Sequence, residues 1–357
     1  MLTAHVVDEA LSVVAETRIS DRDYAMCLTA EAPGSDTPAW RYENLAGLRV
    51  LTQAPGRPAA DPAFRCRGQL VGITAGRYDW IYLWLSEPLG DDADGAGDAE
   101  VWLHYQDAAD PEWLRTVDRE NPCVARIPVT RPDQLTAIRL PALAGAGVLA
   151  ATLVSPPRSG GAAAFDGRPV DLTPYANCVG IEPSARPGSG AFNIWYNTFP
   201  AEDLPAAGSL VRVGSVPFRF PLAGAAEPDN IRCRGQRIAL DGSRADWLHV
   251  LAAAERRSED VLRVHYADGS SRPQWLRVSD FWPETAARFG EQLAFRTASM
   301  LYPNHVDRRM PPAIWRQRVP LTARDRAVAV TLPDNPAIHL FAATLVDEAA
   351  AGGAVAP

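Results

Sequence analysis

Polar and apolar positions along this chain alternate in short runs. Val261 to Tyr266 (VLRVHY) switches between apolar and polar and then meets the turn pair Asp268-Gly269. Val101 to Tyr105 (VWLHY) has much the same pattern. A period of two puts one face of a strand into a core and the other into solvent. Val211 to Val213 and Val216 to Phe220 flank Gly214-Ser215, a two-residue connection that predicts a hairpin. Short strands punctuated by Gly, Pro and Asp predict an all-β chain built as a β-sandwich or jelly roll.

The runs recur. Arg65-Cys66-Arg67-Gly68-Gln69 returns as Arg232-Cys233-Arg234-Gly235-Gln236, and Asp79-Trp80 as Asp246-Trp247. His104-Tyr105 matches His265-Tyr266, and Trp113-Leu114-Arg115 matches Trp275-Leu276-Arg277. Arg126 to Thr130 matches Arg318 to Thr322, and Ala150 to Val154 matches Ala342 to Val346. The matched blocks lie 167 residues apart at Arg65, 162 at Trp113 and 192 at Arg126, so the second copy carries 30 more residues between its Trp275 and Arg318 blocks. An ordered repeat of this length predicts two tandem β-sandwich domains from an internal duplication. They are expected at 1–155 and 169–347, with a Pro/Gly/Ala-rich linker over 156–168 and a disordered tail at 348–357. Leu248 to Arg256 is helical by propensity alone. Its counterpart Ile81 to Leu85 (IYLWL) reads as a strand, so both are predicted as buried strands.

Over 169–347 the second copy resembles a galactose-binding-like β-sandwich accessory domain of secreted actinobacterial glycosidases. The resemblance rests on Val170-Asp171-Leu172, Asn177 to Ile181, Pro200 to Gly208, Val216-Pro217-Phe218 and Pro228-Asp229-Asn230. It continues through His265 to Gly269, Ser279 to Trp282, Tyr302-Pro303-Asn304 and Ile338 to Ala342. It implies a jelly-roll module with a ligand face; unlike those glycosidases, this sequence shows no catalytic glycosidase domain. On the same basis the first copy, which matches poorly before Arg65, is a degenerate partner that has lost the long segment.

Composition narrows the chemistry. All 35 basic side chains are Arg, which excludes a Schiff-base lysine, a pyridoxal-phosphate anchor and a P-loop lysine. The net charge of −8 is spread along the chain, with no basic stripe to track phosphates, so nucleic acid is not an expected partner. No run approaches a membrane-spanning length, and no basic-then-apolar leader opens the chain. Five cysteines (Cys27, Cys66, Cys123, Cys178, Cys233) without CxxC spacing fit a reduced, cytoplasmic protein. Cys178 is read as inert.

Residues without a counterpart in the first copy are the candidates for function. His305, Asp307 and Arg308, in LYPNHVDRRM, offer a general base, its orienting carboxylate and a cation for an anionic group. The competing reading is a solvated loop with surface ion pairs. Trp195, Tyr196, Trp282, Tyr302 and Trp315, with Asn304, offer the aromatic platform and polar groups that hold a sugar or polar small molecule. Core packing competes for each Trp, and about two of the five aromatics are expected to be accessible. Asp171 and Glu182 are candidates for calcium, and no other cofactor is implied. The duplicated His104 and His265 read as structural, and His339 as a hydrogen-bonded core histidine. The expectation is a carbohydrate or small-molecule binding protein. The alternatives are an intracellular enzyme of specialised metabolism (a cyclase, lyase or hydrolase) on the same scaffold, or an assembly protein.

Overall fold

The computed structural model of the chain describes residues 9–10, 12–18, 23–29, 40–45, 48–53, 65–85, 100–106, 112–115, 124–131, 133–154, 167–222, 227–282, 286–321 and 326–347. The chain divides into two compact units, 1–161 and 162–357. The described residues are all-β, with two single-turn 3₁₀ segments at Thr173–Tyr175 and Ala201–Asp203. Most of the predicted linker and all of the predicted tail lie outside the described residues.

In the second unit a six-stranded sheet runs Gly167–Val170, Ile338–Val346, Trp247–Ala254, Ala313–Pro320 and Gln292–Arg296, with Ile231–Arg232 added on Ile338–Val346. A four-stranded sheet runs Arg237–Ala239, Ala327–Thr331, Ser258–Tyr266 and Ser271–Val278. Leu248, Val250, Trp315 and Val319 of the first sheet share one buried cluster with Ile238, Leu262, Val264, Leu276 and Val330 of the second. Two layers closed on one apolar core make this unit a β-sandwich. The alternation at Val261 to Tyr266 holds: Leu262, Val264 and Tyr266 are buried, while Val261 and Arg263 are exposed.

Trp247–Ala254, the segment with helical propensity, is a strand buried at every position. It is central, paired on both edges. The sheet's outer face is also covered: the hairpin Leu210–Val213/Val216–Arg219 is fastened there by Thr344 Oγ1, which donates to Pro217 O (2.6 Å), and by Arg316, which donates to Val213 O (2.8 Å). A strand buried on both faces loses its alternation, and its sequence becomes indistinguishable from a buried helix.

The first unit has a five-stranded sheet (Glu9–Ala10, Leu70–Gly76, Leu135–Arg139, Glu100–Tyr105, Glu112–Arg115) and a six-stranded one centred on Trp80–Leu85 and Ala142–Val154. Its own cluster joins Val71, Val101, Leu103 and Ile138 to Ile81, Leu83, Ile127 and Leu153. The repeated motifs keep their strand partners. Trp80 pairs with Pro128 and Val154, and Trp247 with Pro320 and Val346. Arg65 faces Gly147 as Arg232 faces His339, and Val71 faces Ile138 as Ile238 faces Val330. One register departs: Trp113 faces Trp102, whereas Trp275 faces Val261, two residues away from the equivalent pairing.

Two expectations are corrected. Gly167 and Arg168, assigned to the linker, already belong to a strand: Gly167 pairs with Val346 and Arg168 with Leu345. Trp315, expected on a ligand face, is a core residue only 4% exposed, with its indole Nε1–H donating to Asp280 O at 3.1 Å. Burying the ring and satisfying its single donor leaves nothing for a ligand.

Candidate functional site

Among the described residues of the second unit, the most exposed aromatic feature is a tight loop between two buried phenylalanines. Phe192 and Phe199 are fully buried and meet edge to face, with ring centroids 5.3 Å apart. Between them Ile194, Trp195 and Tyr196 are 74%, 56% and 57% exposed. Two buried asparagines hold the base. Asn193 Oδ1 accepts from Trp195 N (3.0 Å) and Asn197 N (3.1 Å), and Asn193 Nδ2 donates to Asn197 Oδ1 (2.8 Å). An asparagine carbonyl that caps the backbone two residues on is the usual Asx device for a tight turn. Tyr196 takes up a positive φ of 57°, a conformation few non-glycine residues adopt, so the loop is over-determined by its anchors.

Thr198 leads from this loop into a second element. Its N–H donates to Leu301 O and its carbonyl accepts from Leu301 N, both at 3.0 Å. Leu301 belongs to the hairpin Met300–Tyr302/His305–Asp307, which lies within the 30 extra residues between the repeated motifs of the second unit. The Tyr302 and His305 rings stack there at 4.5 Å and 10°. Trp195, Tyr196, Tyr302, Asn304 and His305, about 100 residues apart in sequence, are thus set on adjoining elements.

The acid–base arrangement expected of His305, Asp307 and Arg308 is not assembled. His305 Nδ1 faces Asn304 Oδ1 at 2.8 Å. Asp307 instead takes Arg309 in a fork, with Nε at 3.1 Å and the other guanidinium contact at 3.2 Å. Those bonds hold the Asp307 carboxyl below its ordinary range. Arg308 is exposed. Trp282 is half-buried, edge-on to Phe281, with its backbone N–H on Asp280 Oδ1 at 3.0 Å.

The calcium candidates are also otherwise engaged. Glu182, 2% exposed, accepts from the N–H groups of Gly188, Ser189 and Gly190 and from the hydroxyls of Ser189 and Thr198. Burial pushes its carboxyl upward, but these donors outweigh burial and hold it below its usual range. Asp171 Oδ1 accepts from Thr173 N at 3.0 Å, an ordinary turn bond. Among the described residues no cluster of three or more His, Cys, Asp or Glu side chains is placed to hold a metal.

Sequence reasoning overlooked the network beneath the loop. Asp229 accepts from Gly180 N and Ile181 N and from Asn230 Nδ2 (2.8 Å). Burial pushes the Asp229 carboxyl up to about 7, against the pull of those donors. Asn230 Oδ1 faces His339 Nδ1 at 2.7 Å, and the His339 ring lies 4.1 Å from that of Phe192. The order Asp229, Asn230, His339, Phe192 therefore links a buried carboxylate to the foot of the exposed loop. The signal available was asymmetry: at the offsets of the repeated motifs, the first unit has Pro62, Ala63 and Gly147 where the second has Asp229, Asn230 and His339. Cys178 sits near Arg232, which lowers its pKa, but burial prevails and raises the thiol to about 11, leaving it unreactive.

Comparison with known proteins adds a family. No curated protein matches the chain. Among solved structures, a Bacillus thuringiensis Cry1Da tryptic core variant aligns over 91% of this chain and 48% of its own at 9% identity, with a TM-score of 0.14. The chain spans about half of that protein, and a likeness at this level carries no argument about fold or activity. A family model described as an AziU2-like beta-sandwich domain matches residues 166–349. That segment is just over half of the sequence and coincides with the second sandwich, so the chain belongs to the AziU2-like beta-sandwich domain family.

Proposed function

We propose that the second unit is a binding module for a carbohydrate or similarly polar small molecule. In this reading the ligand contacts Trp195 and Tyr196, with the stacked Tyr302–His305 pair beside them. The observation that carries the reading is an aromatic loop more than half exposed, yet braced by the buried Asn193 and Asn197. Pyranose rings present apolar C–H faces to such surfaces, while Asn304, His305 and the Asp307–Arg309 fork supply polar partners. A braced loop also loses little conformational freedom on binding. The galactose-binding-like, jelly-roll character suggested by the sequence belongs to the same proposal. So does duplication, which the shared strand registers of the repeated motifs support. An acid–base role for His305, Asp307 and Arg308 has less support, because the carboxylate that would orient the histidine is held by Arg309.

The test is a calorimetric titration of the full chain with a panel of neutral mono- and oligosaccharides, in parallel with Trp195→Ala. For a ligand that binds, Trp195→Ala is expected to weaken affinity by about 30-fold, the effect of losing a central aromatic contact. The melting temperature should barely change, because the ring is exposed. Unchanged affinity in Trp195→Ala, or no binding anywhere in the panel, overturns the proposal.

A further inference from the structure

A cleft of about 170 Å³ opens between the chain that leaves strand Gly167–Val170, the segment Arg219–Leu222 and Leu340–Ala342. Pockets for drug-sized ligands hold roughly 300–1,000 Å³, so this one fits a molecule the size of a single residue. Pro221 and Leu222 give it an accessible apolar lining, with Phe220 and Leu340 buried behind them.

The polar groups around the cleft divide into spent and unspent. Asp229 is occupied by the Gly180 and Ile181 amides, and Asn230 by Asp229, Cys178 O and His339. Asp171 is exposed, and only one of its carboxylate oxygens is used, by Thr173 N. Arg219 is exposed, and its guanidinium makes no hydrogen bond or ion pair with any described residue. The charges left to a ligand are therefore one carboxylate and one guanidinium, bordering the same apolar hollow.

We propose that this cleft binds a small zwitterion of the amino-acid type with an aliphatic side chain. Its ammonium group is held by Asp171 and its carboxylate by the planar fork of Arg219, while the side chain lies against Pro221 and Leu222. Guanidinium matches carboxylate in two parallel bonds, and charge-assisted hydrogen bonds are about twice as strong as neutral ones. The cleft shares Asp229 and Asn230 with the network beneath the aromatic loop, but the groups assigned to the ligand, Asp171 and Arg219, are not those assigned to the loop, so the proposal does not depend on the reading given to the loop.

The test uses the full chain and three probes: L-leucine, leucinamide (no carboxylate) and N-acetyl-leucine (no ammonium). Binding is followed by amide chemical shifts of Thr173 and Gly208. L-Leucine is expected to give saturable shifts, with both capped forms weaker by about tenfold or more, the value of a charge-assisted contact. Arg219→Gln should weaken L-leucine by a similar factor and leave leucinamide unchanged. Asp171→Asn should weaken L-leucine and leave N-acetyl-leucine unchanged. Both side chains are exposed, so both variants should keep their melting temperature. Absence of saturable shifts at millimolar L-leucine, equal binding of the three probes, or indifference to both substitutions overturns the proposal.

Discussion

His339 shows how one residue ties burial to charge. It is fully buried, and burial, reinforced by the positive charge of Arg232, pushes its pKa down to about 3. Its Nδ1–H is committed to Asn230 Oδ1, since the Asn230 amide already faces Asp229 and Cys178 O. Protonation in the unfolded chain near 6.5 then favours unfolding. The stabilisation is complete above that pH and is lost as pH falls toward 3. His249, lowered by burial and by Arg316 and Arg318, acts in the same direction. Asp229, raised to about 7, acts oppositely, because its contribution fades as pH rises through that value. The His339 term is isolated by difference. The gap in unfolding free energy between the native protein and His339→Gln should widen by about 1.4 kcal/mol per pH unit from pH 3 to 6.5 and stay level above. Denaturant melts across that range measure it, and a gap independent of pH contradicts the buried neutral histidine.

Among the elements, those with one solvated face could be read directly. Ser258–Tyr266 alternates, the Gly214-Ser215 pair makes its hairpin, and Trp80–Leu85 identifies Trp247–Ala254 as its counterpart. Composition cannot separate two tryptophans. Trp195 and Trp315 are the same residue type in the same unit, yet one is presented by an asparagine-braced turn and the other lies under a sheet. The deciding contacts are long-range: Thr198 to Leu301 for the exposed loop, and Pro217 to Thr344 for the cover of the outer face. Glu182 was legible as a carboxylate but not as the hub of the 188–190 turn, because its partners are mostly backbone amides, which every sequence possesses. That hub explains Gly190. A Cβ there would lie 2.3 Å from Thr198 Cγ2 and 2.9 Å from Val179 O. Gly190→Ala should therefore cost about 1–3 kcal/mol through overpacking, and should loosen the attached aromatic loop. Gly235→Ala has open space around its Cβ but a φ of +73°, and should cost only about 1 kcal/mol of backbone strain. Equal destabilisation of the two in urea melts would mean that the turn around Glu182 is not packed as described.

At the scale of the molecule, each sandwich closes on a cluster drawn from its own unit. Residues 66–153 supply one, and residues 231–345 supply the other. The cysteines offer a reporter in each. Cys66 and Cys233 occupy equivalent strand positions, are both free and buried, and are held protonated by that burial; Cys66 is raised to about 11 and Cys233 further still. A thiol in that state reacts only when its sandwich opens. Brief alkylation at increasing urea, followed by peptide mapping, should label each at the midpoint of its own unit. Leu248, 2% exposed in the second cluster, provides the perturbation: Leu248→Ala should cost about 2–5 kcal/mol. The Cys233 midpoint should move to lower urea by the equivalent amount, while that of Cys66 holds. If both midpoints move together, the two sandwiches unfold as one cooperative body, and the separation of their cores does not extend to their stability.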